Sequence, residues 1–319
     1  MKHIHAHKQL SKHYSYKQRK LIGAKVISFI DKIIKIENLS NIKWGTFYIV
    51  KENRNGYKKN QRTFDKPHNT KHRVITFIKD KELRNNLGFL ASKMELPHSA
   101  QIGFTSNRGV KDIKIRNKPK KIWNIDLENA FGQIKYNHIL FILNRTLTIK
   151  KSYAQIIAKS MTDNRGIMVQ GHPLSPVMFN LLTFALINRI NNIIEVKQYA
   201  DDITIFSTYD WISYKFKRFI EKIFKEEGWV INPAKYNFNR KHCKILGLTL
   251  MFDQDWVMLA NKASKNLRYL FANIHAKEGK ELESFKSKIV WYAYKWDIRV
   301  AEKYANHIRR YKITRKLLV

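Results

Sequence analysis

Acidic residues are scarce in this chain: 25 Asp and Glu stand against 61 Lys and Arg over 319 residues, a formal net charge of +36. So large an imbalance would make a compact fold repel itself, and it points to a polyanionic partner. Compositional drift in an AT-biased genome would account for abundant Lys, but it accounts less well for the missing acids. Cysteine is nearly absent, and Cys243 alone rules out an intrachain disulfide and a Cys-rich structural zinc site. A reducing, cytoplasmic setting follows as the expectation. No sustained apolar run occurs, so neither a secretory signal nor a membrane span is expected. Six prolines and twelve glycines leave little material for a flexible linker, and no repeat or low-complexity tract breaks the chain.

What the chain does have is rings: 18 Phe, 15 Tyr and 7 Trp accompany the cations. That mixture suits a groove where bases stack on aromatic side chains while Lys and Arg follow phosphates. The length suffices for a substantial core, arranged as one large domain or as subdomains around a cleft.

Periodicity orders the segments. Residues 1–20 are polar and basic and carry four of the twelve histidines, which reads as an arm that orders on a partner. His3, His5 and His7 alternate as a metal clip would, but a solvated tail is the preferred reading. Ile22, Val26, Phe29 and Ile33 recur at helical spacing over 21–39. Residues 44–50 and 71–77 are β-rich and suggest a basic ribbon. Helices are expected over 80–96, 134–147, 152–160 and about 210–227. Residues 121–127 form a buried strand that ends near Asp126. Ser175 can cap a helix beginning at Pro176. Short strands at 195–199 and 203–207 flank Ala200-Asp201-Asp202, a tight hairpin with carboxylates at its tip. A further β hairpin is expected around 236–260, and helices beyond 261 carry an apolar stripe of Phe285, Ile289, Trp296 and Val300.

In a chain so short of acids, Asp126 at a strand end and Asp201 with Asp202 on a hairpin are candidate ligands for hard cations, which take carboxylate oxygens. Extension of a nucleic acid needs such ions, because a pair of Mg²⁺ stabilises the attacking and leaving oxygens during nucleotidyl transfer. An isolated Asp-Asp pair means little, since many turns contain one for backbone reasons.

The surroundings are more specific. Tyr199-Ala200-Asp201-Asp202 resembles the YADD motif of prokaryotic reverse transcriptases, those of group II introns, retrons and their unclassified relatives. Gln170-Gly171-His172-Pro173-Leu174-Ser175-Pro176, continuing to Asn180, resembles the QGxPxSPxxxN motif that precedes it, and Asp126-Leu127-Glu128-Asn129-Ala130-Phe131 resembles the first palm motif. Downstream, Gly228 to Lys235 is similar to the fourth motif and Ile245 to Leu250 to the primer-grip hairpin. The resemblance spans roughly residues 65–255.

It implies an α+β right-hand polymerase: an N-terminal arm (1–20), fingers (21–120), a palm whose antiparallel sheet is backed by helices (121–255), and a helical thumb (256–319). It implies RNA-directed DNA synthesis with two Mg²⁺ ions held by Asp126, Asp201 and the Leu127 carbonyl, with Asp202 positioning the primer end or a metal. Phe131, five residues after Asp126, would pack under the sugar and exclude a 2′-hydroxyl. Gln170 and Gly171 would approach the nucleotide and template, Lys235 would protonate the pyrophosphate, and Arg73 and Lys79 would grip the triphosphate. Arg108, in a fingers motif with Gly103-Phe104, and Lys286, Lys295 and Arg299 in the thumb would contact nucleic acid. The implied partners are a structured noncoding RNA template, a DNA primer or product, and deoxynucleotides; the oligomeric state is left open.

Gly247-Leu248 lacks the Val-Thr-Gly string typical of retrons, and about seventy residues after the primer grip leave no room for a ribonuclease H domain. The expectation is a stand-alone enzyme in a bacterial or phage-infected cell, of the kind that serves antiviral defence. Two rivals stand beside it: an RNA-synthesising or untemplated polymerase on the same palm, and an RNA-binding protein of the maturase kind.

Overall fold

The computed structural model describes residues 2–52, 56, 60–106, 108, 119–233, 237–240, 242–245, 248–251, 256–259, 269–270, 273, 276–279 and 281–284. Its centre is an antiparallel sheet of four strands in the order β5-β6-β4-β7, where β4 is Lys121–Asp126, β5 Glu195–Tyr199, β6 Asp202–Ser207 and β7 Asn237–Arg240. The β4–β6 register runs from Lys121 opposite Ser207 to Asp126 opposite Asp202. β4 and β6 are buried along most of their length, as expected for inner strands with helices behind them.

After α5 (Tyr136–Phe141) and α6 (Lys151–Ser160) comes α7 (Ser175–Asn191), the helix behind the sheet, whose sequence is apolar on nearly every side. An amphipathic helix buries one stripe; one that is apolar all round must be enclosed. Leu181, Leu182, Phe184, Leu186 and Ile187 are accordingly all buried. The Ser175 hydroxyl does not cap this helix as expected but donates to the Val169 carbonyl (2.8 Å), tying the preceding loop to the helix start. α8 (Tyr214–Glu226) does carry a side-chain cap, with Ser213 Oγ accepting from the Phe216 N–H (3.2 Å).

The basic ribbon forms a separate sheet, β2-β1-β3, in which β1 (Trp44–Val50) pairs with β3 (His72–Ile78) from Trp44 opposite Ile78 to Val50 opposite His72, and β2 is Arg62–Thr63. α4 (Lys81–Lys93) follows it, capped by Asp80 on the Leu83 N–H (3.0 Å). Instead of one hairpin over 236–260, β7 joins β4, covering an edge that would otherwise be open. β8 (His242–Ile245), β9 (Leu248–Met251) and β10 (Trp256–Leu259) form their own three-stranded sheet.

The N-terminal reading is corrected. Residues 2–13 are not an arm awaiting a partner but a helix, α1 (Lys2–His13), packed on α7. Ala6 and Leu10, one turn apart, are fully buried. Four of the polar residues that suggested a solvated tail find partners in the fold. The Lys2 ammonium sits 4.1 Å from the centre of the Trp229 ring and donates to the Gln133 carbonyl (3.2 Å). His3 stacks on His138 with ring centres 4.9 Å apart, His5 pairs with Glu227 (3.1 Å) and His7 with the Thr146 hydroxyl (3.1 Å). The three histidines thus go to three partners and do not converge as a metal clip would. α2 begins at Tyr16, inside the expected arm, because Ser15 and Gln18 cap each other reciprocally. It ends at Phe29, followed by a π-turn (Ile30–Ile34), a left-handed Lys35 (φ +66°) and a short helix α3 (Ile36–Ser40), so the single helix expected over 21–39 is broken.

Candidate active site

Three chain segments meet side by side at one end of the central sheet. Asp126 is the last residue of β4, and its side chain is buried. β6 lies on one flank: Asp202 is opposite Asp126, and the Leu127 N–H donates to the Asp201 carbonyl (3.3 Å). Residues 230–232 lie on the other flank. The Glu128 N–H donates to the Val230 carbonyl (2.9 Å), and the Asn232 N–H donates to the Asp126 carbonyl (2.8 Å). Asn232 makes a second bond, from its side-chain amide to Asp126 Oδ2 (3.0 Å), which orients that carboxylate. Asp201 is half-buried in the two-residue turn between Tyr199 and Asp202, and Asp202 is exposed. Residues separated by 75 positions of sequence are therefore brought to adjoining strand ends.

The turn is held from behind. Ala200 adopts φ +54°, a left-handed conformation that costs a residue with a Cβ on the order of 1 kcal/mol. The surrounding structure compensates, with Gln198 Nε2 donating to the Ala200 carbonyl (2.9 Å). Gln198 is fully buried and belongs to an amide and hydroxyl network. Gln101 Nε2 donates to Gln198 Oε1 (3.0 Å) and to the Thr183 hydroxyl (3.0 Å). Asn180, the last residue of the QGxPxSPxxxN segment, donates to the Gly103 carbonyl (2.9 Å). Gly103 is required there, since a Cβ would collide with the backbone of Tyr199 and Ala200. These supporting residues escaped the sequence reading. Asn232 and Asn180 lay inside quoted motifs, but nothing in the spacing signalled Gln101, Thr183 or Gln198 as partners.

Phe131 lies half-buried beside this end of the sheet, stacked on Phe179 (centres 5.4 Å apart) and edge-on to Phe104 (6.2 Å). Phe179 in turn packs on Trp229 (5.7 Å), so the ring is braced by a cluster of aromatics. Gln170 accepts from the Thr76 N–H (3.2 Å), joining the palm loop to β3. Gly171 has φ +113°, and a Cβ would collide with the Thr76 carbonyl, so the space the missing Cβ opens is filled by the ribbon. His172 is entirely buried, and its Nδ1 accepts from the Leu174 N–H (3.1 Å); burial pushes its pKa down to about 3.

Other expected residues are not brought together. Arg73 and Lys79 are both exposed but sit near opposite ends of β3, six residues or about 20 Å apart along the strand. Strand alternation puts both side chains on the same face of the ribbon. Arg108 spends its guanidinium on the main chain, donating to the carbonyls of His98 (2.7 Å) and Gln101 (3.1 Å), and so braces the loop that supports Gln198. Lys235, Lys286, Lys295 and Arg299, with the apolar stripe from Phe285 to Val300, lie outside the described residues.

Among the described residues no three His, Cys, Asp or Glu side chains form a closed metal cluster. The donor set nonetheless fits Mg²⁺. That ion keeps most of its waters and takes one or two protein carboxylates together with substrate phosphates, rather than a cage made of protein alone. Adjacent strand ends that carry Asp126 and Asp201 supply such a pair of hard oxygen donors.

Comparison with known proteins points to one family. The family described as Reverse transcriptase (RNA-dependent DNA polymerase) matches residues 57–250. The Retron Ec86 reverse transcriptase of Escherichia coli is 27% identical over 172 residues, 51% of this chain and 52% of the relative, so the chain spans about half the length of that curated relative. Retron similarity thus coexists with the missing Val-Thr-Gly string. Two solved structures are similar. The foamy viral protease-reverse transcriptase with an RNA/DNA hybrid has a TM-score of 0.40 and 18% identity, covering 64% of this chain and 25% of that one. The same viral protein with double-stranded DNA has a TM-score of 0.39 and 19% identity, covering 70% and 34%. The family match takes in more than half of the chain and includes the segments around Asp126, Gln170 and Asp201: this chain belongs to the reverse transcriptase family.

Proposed function

We propose that this chain copies RNA into DNA at the strand ends that carry Asp126 and Asp201. The observation behind this reading is the β4–β6 register, which sets Asp126 opposite Asp202 with the Leu127 N–H on the Asp201 carbonyl. Two Mg²⁺ ions held by Asp126, Asp201 and the Leu127 carbonyl would stabilise the attacking and leaving oxygens of nucleotidyl transfer. The protein's part is to hold those oxygens in place before substrate arrives. Asn232 fixes one carboxylate, and the Gln198 network fixes the turn that presents the other. Asp202, exposed at the start of β6, positions the primer end.

Phe131 is the wall under the sugar of the incoming nucleotide, and its stacking on Phe179 keeps the ring from yielding to a 2′-hydroxyl. Gln170 lines the nucleotide site from the loop docked on β3, and Lys235 supplies the proton for the pyrophosphate. Arg73 and Lys79, both exposed and on one face of the ribbon, grip the triphosphate. The division into fingers (21–120), palm (121–255) and thumb (256–319) follows, with residues 98–106 fastened to the palm through Gln101. The net charge of +36 supports a nucleic-acid partner along which Lys and Arg replace counterions, and the template in this reading is a structured noncoding RNA.

The test is primer extension on an RNA template annealed to a DNA primer, with Mg²⁺ and deoxynucleotides. Wild type extends the primer and Asp201→Asn does not; extension by Asp201→Asn at an undiminished rate would remove the proposal. Unaltered RNA binding and biological activity in that variant would favour the maturase-like reading instead.

A further inference from the structure

We propose that a cleft at the opposite end of the central sheet from the carboxylates is a stacking site for unpaired RNA bases, distinct from the polymerase site. β6 separates the two places: Asp202 starts the strand and Ser207 ends it, about 17 Å away. The cleft, about 610 Å³, lies between the start of β5, the end of β6 and the first turn of α8, and its walls include Ile193, Phe206, Tyr209, Trp211 and Phe216. A volume of this size accepts a nucleobase with its sugar.

Its rim is unusual for a protein surface. Tyr209 is 75% exposed, Tyr214 63%, Trp211 59% and Phe219 45%, so four large rings project into water within eleven residues. The segment that carries them is braced. The Tyr209 N–H donates to Ser207 Oγ (3.1 Å), Asp210 pairs with Lys120 (3.0 Å), and Ser213 caps α8. Rings held by a fixed backbone lose little entropy when a base stacks on them.

Charge selects the occupant. On the solvent face of α8, Lys215, Arg218 and Lys222 lie at i, i+3 and i+7, with Phe219 among them. Neither Lys215 nor Arg218 has a carboxylate partner among the described residues, and Lys222 shares Glu226 at 3.8 Å. The neighbouring acids are already engaged: Asp210 by Lys120, Glu195 by Lys197 (3.6 Å) and Glu221 by Lys217 (3.8 Å). Exposed rings alternating with cations match a chain of unpaired bases and phosphates, whereas a duplex hides its base faces. Hydroxyls at Thr208 and Ser213 in the cleft wall give partners for a ribose 2′-OH. The site would hold an unpaired stretch of the RNA outside the region being copied.

The test measures binding of a fluorescent single-stranded oligouridine by anisotropy, with the polymerase groove saturated by an unlabelled RNA/DNA hybrid. Replacing Tyr209 and Trp211 together by Ser should weaken binding roughly 10-fold or more. Lys215→Ser with Arg218→Ser should lower the salt dependence by about two phosphate contacts. Ultraviolet cross-links from the oligouridine should fall within residues 209–219. All of these residues are exposed, so primer extension on a preformed hybrid should be unchanged in both variants, which separates failure of this proposal from failure of the polymerase reading. Unchanged oligouridine affinity in both double variants overturns the proposal. Loss of self-association in the Tyr209/Trp211 variant, with RNA affinity intact, would make the face a protein contact and overturn it equally.

Discussion

Phe131, proposed as the wall under the sugar, would set the chemistry of the product with one side chain. A lone ring could swing away from a 2′-hydroxyl at little cost. Stacked on Phe179 at 5.4 Å and edge-on to Phe104, it moves only if the aromatic cluster moves. Phe131→Ala is therefore expected to lower the preference for deoxynucleotides over ribonucleotides roughly 10-fold or more, the scale at which a pocket discriminates by volume. Single-nucleotide incorporation with each substrate measures it, and an unchanged ratio would remove Phe131 from the sugar-binding wall. The rings that brace it, 27 and 48 positions away, were not legible from its spacing to Asp126.

Elements were legible where one pattern dominated. The ends of β4 and β6 and the start of α4 were read to within a residue because alternation or helical periodicity is strong there and a turn or cap residue stands at the boundary. α1 was misread because its apolar content is small, only Ala6 and Leu10 on the buried face, and its remaining contacts come from Lys and His side chains used for stacking and hydrogen bonds. Composition cannot distinguish such a helix from a solvated arm. If α1 is part of the fold, Leu10→Ala should cost about 3 kcal/mol in urea denaturation, as expected for a fully buried leucine. A cost near zero would return the segment to the status of an arm. At the candidate site, the carboxylates and their motifs were legible, but the Gln101–Gln198–Thr183 network was not. Its members are 15 to 97 positions apart, and only packing reveals that they are buried together.

For the whole molecule, buried histidines set how the fold responds to acid. Burial lowers the pKa of His172 to about 3 and those of His98 and His138 to about 4. Each also accepts a backbone N–H at Nδ1, from Leu174, Ala100 and Lys135 respectively, which a protonated ring could not do. These rings are neutral in the fold and charged in the unfolded chain between about pH 6.5 and 4. Their contribution is thus complete above the unfolded pKa and is lost as the pH falls below it. Thermal unfolding should show the midpoint falling by roughly 5 °C between pH 7 and pH 5; a flat or rising midpoint would mean that the rings are charged in the native state.

The account rests on Asp126 and Asp201 acting as one unit. Single-turnover incorporation of one deoxynucleotide on an RNA template, compared among Asp126→Asn, Asp201→Asn and the double variant, tests this most directly. Groups that act together are non-additive, so each single variant should lose roughly 10³-fold or more and the double variant little further. Substantial activity in either single variant, or losses that multiply in the double, would contradict a shared site.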